Sequence, residues 1–305
     1  MVIGILTTYL IVPLLFIYWV WKWRATSAVA WLSMVLGYGF FFTFLWVSGP
    51  WAFINYYLRY LYPSLFVIAV ARSARRRVRA TDPARASWRS WVLPGVNVVL
   101  LVVFGVMSVV ALAGYRTSDE PVQLAFPLRN GAYAVVHGGN SVLINYHNAH
   151  KSQRYALDIS KLNAAGFRAA GWRPRELTAY AIFGDTLYCP CDGTVEEVVR
   201  DLPDHTPPER DRKNVAGNYV LVDCGGIDVY LAHMMKASAQ VRPGERVVVG
   251  QAIGRVGNSG NTTEPHLHIH AERGRDPGAF SGGDGVPIRF DGRFLVRNSL
   301  VRRVR

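Results

Sequence analysis

Acidic residues are nearly missing from the first third of this chain. Residues 1–115 hold one Asp/Glu, Asp82, against ten Lys/Arg. The remainder is close to balance, with 24 Lys/Arg against 20 Asp/Glu. The formal net charge of +13 therefore sits mostly in one region, and no nucleic-acid partner is needed to explain it. Cysteine is scarce as well, with only Cys189, Cys191 and Cys224. The first two form a Cys-x-Cys pair, but no second pair exists to complete a four-cysteine structural zinc site. No internal repeat or low-complexity tract is evident, which leaves out repeat arrays. The first apolar stretch lacks a basic leading segment and a small-residue cleavage site, so it reads as a retained helix rather than a signal peptide.

Long hydrophobic runs, by contrast, are plentiful. Half of the residues are hydrophobic, and they concentrate in the first 115 or so positions. Four segments there, 2–21, 28–47, 51–70 and 92–113, approach the ~20 residues that a helix needs to cross a bilayer. The loops between them assign sides. The first carries Lys22 and Arg24, the second (Ser48, Gly49, Pro50) carries no charge, and the third, 72–89, carries seven arginines and one aspartate. Excess Lys/Arg marks the cytoplasmic side. Loops one and three are then inside; the N-terminus, loop two and everything after Ala113 are outside. Trp19, Trp21, Trp23, Trp51 and Trp91 lie near span ends, as interfacial anchors do. Arg59 and Pro63 fall within the third span, where Arg59 reads as a helix-packing or snorkelling residue.

After a linker at 114–122 the texture changes to short alternating runs cut by Gly, Pro, Asn and Asp, which predicts antiparallel β structure over 123–305. Candidate strands are 132–136, 142–146, 155–159, 194–199, 218–223, 228–233, 246–249 and 266–271. The alanine-rich stretch 163–173 suggests a brief helix, and 202–213 is loop by composition. The most informative segment is 257–270. A polar, glycine-bearing loop ends at Pro265 and delivers into His266-Leu-His-Ile-His270. On a strand the three histidines share one face, while Leu267 and Ile269 look into a core. Imidazoles so arrayed suit metal binding or proton transfer.

The run Gly250-Gln-Ala-Ile-Gly-Arg-Val-Gly-Asn-Ser-Gly-Asn-Thr-Thr-Glu-Pro-His-Leu-His268 resembles the active-site strand of the lysostaphin-type zinc metallopeptidases. Val229-Tyr-Leu-Ala-His-Met234 resembles the strand on which that family carries a catalytic histidine, and Cys189-Pro-Cys-Asp-Gly-Thr-Val195 its turn-and-strand entry. The similarity covers about residues 130–272. It implies a compact antiparallel β fold of sandwich or barrel-like form, a Zn2+ cofactor and peptidoglycan as substrate. It also implies that Asp158 and His268 are metal ligands, and that His233 and His266 serve catalysis without binding metal. Cys191 and Cys224 precede or end strands that pair in the family fold, and an outside location permits a bridge between them, which would leave Cys189 free.

One ligand is missing from the family pattern. Its H-x-G-x-D would need histidine at 154 and glycine at 156, where this chain has Arg154 and Ala156. A guanidinium stays protonated and offers no lone pair. His147 and His150 stand just upstream, and His147 is preferred because it closes a predicted strand whereas His150 lies in the following turn. An incomplete site is the remaining case. His137 reads as a strand-end residue, His205 as a loop residue, and His270 as either support for a ligand or simply exposed.

The expectation is thus a four-helix anchor in the cytoplasmic (inner) membrane with an exported β domain. Its function would be zinc-dependent cleavage of peptidoglycan cross-links or stem peptides. The alternative is a non-catalytic domain that binds cell-wall peptide or activates another hydrolase.

Overall fold

The structure is a computed structural model that describes residues 2–23, 25, 27–76, 89–276 and 281–303. Arg24 and most of the basic third loop (77–88) lie outside the described residues. The chain forms two compact units, one of residues 1–51 and 57–112, the other of residues 52–56 and 113–305.

The α-helices are α1 (Gly4–Lys22), α2 (Ala28–Ser48), α3 (Trp51–Ile54), α4 (Leu58–Arg75) and α5 (Val92–Ala113); all lie in the first unit except Ala52, Phe53 and Ile54 of α3 and Ala113 at the end of α5, which belong to the second. Three of these, α1, α2 and α5, are long and apolar enough to cross a membrane. Ser27 caps α2, its hydroxyl accepting from Ala30 N at 3.1 Å. Gly37 lets α2 and α5 approach closely, since a Cβ there would meet Asn97 O at 2.6 Å. The predicted third span, 51–70, needs correction. It is broken after Ile54 and resumes at Leu58, because Asn55 and Tyr56 are drawn away by hydrogen bonds to Ala165 O and Gly166 O, each 2.9 Å. Arg59 is buried in α4 with its guanidinium 4.6 Å over the Trp46 ring, a packing contact between α4 and α2.

The second unit is built on a nine-stranded sheet. Its strands are β1 (Gly131–His137), β2 (Leu157–Leu162), β3 (Gly193–Val199), β4 (Asn218–Asp223), β5 (Asp228–Met234), β6 (Arg246–Val247), β7 (Leu267–Arg273), β8 (Asp284–Val286) and β9 (Leu300–Arg303). The order is β9-β1-β2-β7-β5-β4-β3-β6, with β8 added to β7, and every pairing is antiparallel. Two-residue alternation divides its faces. Leu157, Ile159, Val229, Leu231, Leu267 and Ile269 are buried in one core. The opposite face carries Asp158 on β2, Tyr230 and Ala232 on β5, and His268 and His270 on β7. Register places His268 across from both Asp158 and Ala232, and His270 across from Tyr230.

Two strand bulges interrupt that alternation where it matters. On β5, Ala232 pairs with Tyr219 and Met234 with Asn218, so His233 is an extra residue with φ +60°. Regular alternation would send His233 into the core with Leu231; the bulge turns it out and returns Met234 to the core instead. On β1, Val135 pairs with Ile159 and His137 with Asp158, leaving Val136 as the insertion. His137 is thereby brought beside Asp158.

Two predicted elements are corrected. Residues 142–146 form no strand; they turn into a 3-10 helix, Tyr146–Ala149. Residues 163–173 form no helix, because Gly166 (φ +83°) and Gly171 (φ +113°) take left-handed conformations that end one. The linker at 114–122 is packed rather than loose: Asn140 N donates to Gly114 O at 2.8 Å and Tyr155 Oη to Asp119 at 2.6 Å. Cys191 and Cys224 are joined in a disulfide, and Cys189 is free and buried.

Candidate metal centre

The centre begins with Asn145, fully buried at the base of the turn before His147. Its side-chain oxygen accepts from His147 N at 3.2 Å, and its amide donates to Gly139 O (3.0 Å), Ala156 O (3.1 Å) and Arg154 O (3.2 Å). One side chain thus ties the ends of a loop together and swings His147 over β2. His147 Nε2 comes to 3.1 Å from both carboxylate oxygens of Asp158. His268 Nδ1 lies 2.9 Å from Asp158 Oδ1. Donor atoms of His147, Asp158 and His268 all fall within 4.8 Å of one another, and all three residues are buried. His147 therefore sits in a turn, not at a strand end. His150 is exposed outside the cluster, and Arg154 lies in the turn before β2 with its guanidinium over Tyr155.

Metal ligation needs one ring nitrogen of each ligand histidine free of its proton, and the neighbouring hydrogen bonds allow this for His268. His268 Nε2 is 3.0 Å from His270 Nδ1. With Nε2–H donating there, His268 Nδ1 keeps its lone pair for the space shared with His147 and Asp158. His270 is itself 1% exposed and stacked on Tyr230 at 4.5 Å, so the exposed alternative for it is wrong. Its Nε2 is buried without a hydrogen-bond partner among the described residues. This relay is the arrangement that orients a histidine ligand. Two neutral imidazoles and a carboxylate around one point are also the donor set that zinc takes. The residues fit the metal.

His233 and His266 stand beside this group, their rings 4.8 Å apart. His233 Nδ1 donates to Ser259 O at 2.9 Å, and His266 Nδ1 to Glu264 O at 3.0 Å. A carbonyl only accepts, so Nδ1 carries the proton in both rings, and in the neutral rings Nε2 keeps the lone pair. His266 Nε2 is 3.5 Å from Asp158 Oδ1. Burial, and then the neighbouring His266 and His268, push the pKa of His233 well down. Burial lowers those of His268 and His270 too. For His266 burial is the largest influence and lowers the pKa, but the Asp158 carboxylate and other acceptors outweigh it and the net shift is upward. Burial would raise Asp158, yet His147 and His266 hold it well below the usual carboxylate range.

The loop that precedes β7 is locked from two sides. Gly260 (φ +84°) and Gly217 (φ +64°) allow two backbones to touch, since a Cβ on Gly260 would meet Gly217 N at 2.3 Å. Arg168, 4% exposed, grips Glu264 through Nε at 2.6 Å and Nη2 at 2.7 Å. Two clefts open onto the centre. One, of about 250 Å3, is lined by Phe53, His137, Asp158, Thr262 and His266 among others. The other, of about 370 Å3, is lined by His147, His233, His268 and His270. Sequence reasoning passed over Arg168, Asn145 and Tyr146, whose hydroxyl donates to Asp158 Oδ2 at 3.3 Å. His137, read from the sequence as a strand-end residue, does end β1, and it also lines the cleft beside Asp158; burial and then Arg297 push its pKa down to about 3. His205 is a loop residue whose carbonyl accepts from Asn258 Nδ2, as its sequence context suggests.

Residues 178–279 match the model of peptidase family M23. The matched range holds His233, His266 and His268; His147 and Asp158 precede it. Among solved structures, the chain is similar to one in the SpoIIQ-SpoIIIAH pore forming complex (16% identity, TM-score 0.27, covering 43% of this chain and 59% of that one). It is similar to a putative peptidase M23 from Pseudomonas aeruginosa (21%, 0.26, 52% and 50%) and to lysostaphin (17%, 0.26, 42% and 40%). The chain spans about half the length of these three.

Proposed function

We propose that the M23 domain of this chain is a zinc metalloendopeptidase that cleaves cross-links or stem peptides of peptidoglycan. The observation that carries this reading is the convergence of His147 Nε2, Asp158 and His268 Nδ1 within 4.8 Å, all buried, beside two open clefts. Zinc held by these three would, when bound, supply a Lewis acid for the scissile carbonyl and an acidified water. The chain's own residues manage the proton. His233 and His266, their Nδ1–H groups tied to carbonyls, offer Nε2 to take a proton from the attacking water and return it to the leaving amine. His270 keeps His268 in its ligating tautomer, and the Tyr146 hydroxyl holds one oxygen of Asp158.

Residues 1–113 serve as the anchor in this reading, with α4 as a fourth span beside α1, α2 and α5. Residues 114–122 lead to an exported β domain, 123–305, of sandwich or barrel-like form, on the outer face of the cytoplasmic membrane. The Cys191–Cys224 disulfide supports export, since such bonds persist in oxidising compartments. The loop charges support the same orientation. The test is zinc analysis of the purified chain together with mass analysis of peptidoglycan fragments after incubation. Stoichiometric zinc and new peptide termini, both lost in His268→Ala, are the expected result. A folded, metal-free protein that binds fragments without cutting them would favour the non-catalytic alternative.

A further inference from the structure

The catalytic reading assigns nothing to residues 52–56, which lie in sequence between α2 and α4 yet belong to the β unit. Their attachment is specific. Tyr56, 2% exposed, donates from N to Gly166 O at 2.9 Å and from Oη to Asn298 O at 2.8 Å. Asn55 Nδ2 donates to Ala165 O at 2.9 Å. Phe53 O accepts from Arg168 Nη1 at 2.8 Å. That same guanidinium holds both oxygens of Glu264, whose carbonyl receives the His266 Nδ1 proton. One buried arginine therefore couples this pentapeptide to the loop that presents His266.

Phe53 differs from the apolar residues around it. Ala52, Ile54 and Tyr56 are buried, whereas the Phe53 ring is half-buried. The ring lies 4.6 Å from the Arg168 guanidinium carbon and lines the cleft of about 250 Å3 that also holds Asp158 and His266. The ring sits on a segment held by hydrogen bonds and lines a cleft that also holds Asp158 and His266, so it offers a packing surface there. Such a surface packs against the aliphatic part of a peptide side chain while the polar groups take the backbone.

We propose that Phe53 is a wall of the substrate cleft and contacts the bound peptide, so that a residue from between two membrane-region helices sets substrate affinity. The inference rests on the peptidase reading. It implies that a fragment beginning after Ala113 lacks part of the peptide-binding surface.

The test uses the full chain in detergent, with cross-linked muropeptides from muramidase-digested peptidoglycan as the probe. Phe53→Ala should raise KM about 5- to 20-fold with kcat within about 2-fold, and leave zinc content and melting temperature unchanged. Phe53→Leu, which keeps an apolar but smaller wall, should fall between. An unchanged KM in Phe53→Ala overturns the inference, as does loss of zinc or of fold in both variants, which would make Phe53 a structural residue. Direct binding of the muropeptides is measured alongside. Binding weakened by Phe53→Ala in a protein that never cleaves would sustain the wall and sink the hydrolase reading. Cleavage with Phe53-independent binding would do the reverse. Neither binding nor cleavage by the unsubstituted chain overturns both.

Discussion

Arg154 occupies the position where the family pattern expects a histidine, and its failure to ligate is a matter of lone pairs rather than of fold. The residue that comes to Asp158 instead is His147, through a turn that no strand pattern describes. His147→Ala should abolish zinc binding in the purified protein, while His150→Ala and Arg154→Ala should leave it stoichiometric; retention in the first would remove His147 from the site. His233 and His266 should behave differently. Alanine at either should lower turnover by roughly 10²–10⁴, the usual weight of proton-transfer catalysis, with zinc retained. Loss of zinc in His266→Ala with retention in His268→Ala would mean that the ligand of the pair is the other histidine. The residues brought together were largely legible because a Pro-His-x-His run on a strand has few other uses. Arg168 was not legible: its partner Glu264 is 96 positions away, and a lone arginine in a turn has no local signature.

At the scale of elements, the alternating runs located most of the sheet because burial of one face imposes a period of two. Residues 218–223 match β4, and 228–233 falls one residue short of β5. The bulges at Val136 and His233 were hidden, since an inserted residue leaves the composition of a strand untouched while reversing the faces of the residues after it. The turn at 145–149 was hidden for another reason. Val142, Leu143 and Ile144 resemble a strand, but Asn145 bonds to three carbonyls and bends the chain instead. This makes Asn145 a positioning residue with a measurable effect. Asn145→Ala should weaken zinc affinity by about 10- to 100-fold, the usual range when support for a ligand is lost. Competition with a zinc-sensitive dye reads that shift directly, and affinity within about 2-fold of the unsubstituted protein would show that the turn holds without its amide.

For the whole molecule, buried histidines make stability depend on pH. His137, His233, His268 and His270 have pKa values depressed by burial, whereas His266 alone among the shifted histidines is raised. A depressed histidine binds no proton in the folded state but gains one on unfolding below about pH 6.5. Its stabilising contribution is present above that pH and declines as pH falls, for His137 down to about 3. His266 acts with the opposite sign but is outnumbered. The melting temperature of the chelated chain should therefore drop between pH 7.5 and 5.0; a rising curve would mean that these rings are not held neutral. The largest-scale prediction concerns sidedness. Loops with Lys22 and Arg24, and with seven arginines in 72–89, belong inside by charge. That puts Ser48, Gly49 and Pro50 outside together with everything after Ala113. Residues 52–56, directly after that second loop, belong to the same compact unit as 113–305, and this sidedness keeps the two in one compartment. Protease added to spheroplasts should remove the β domain, while an epitope inserted near Arg85 stays protected until the membrane is opened. Protection of the β domain with loss of the epitope would invert the chain, and a cytoplasmic domain would have no peptidoglycan to cut.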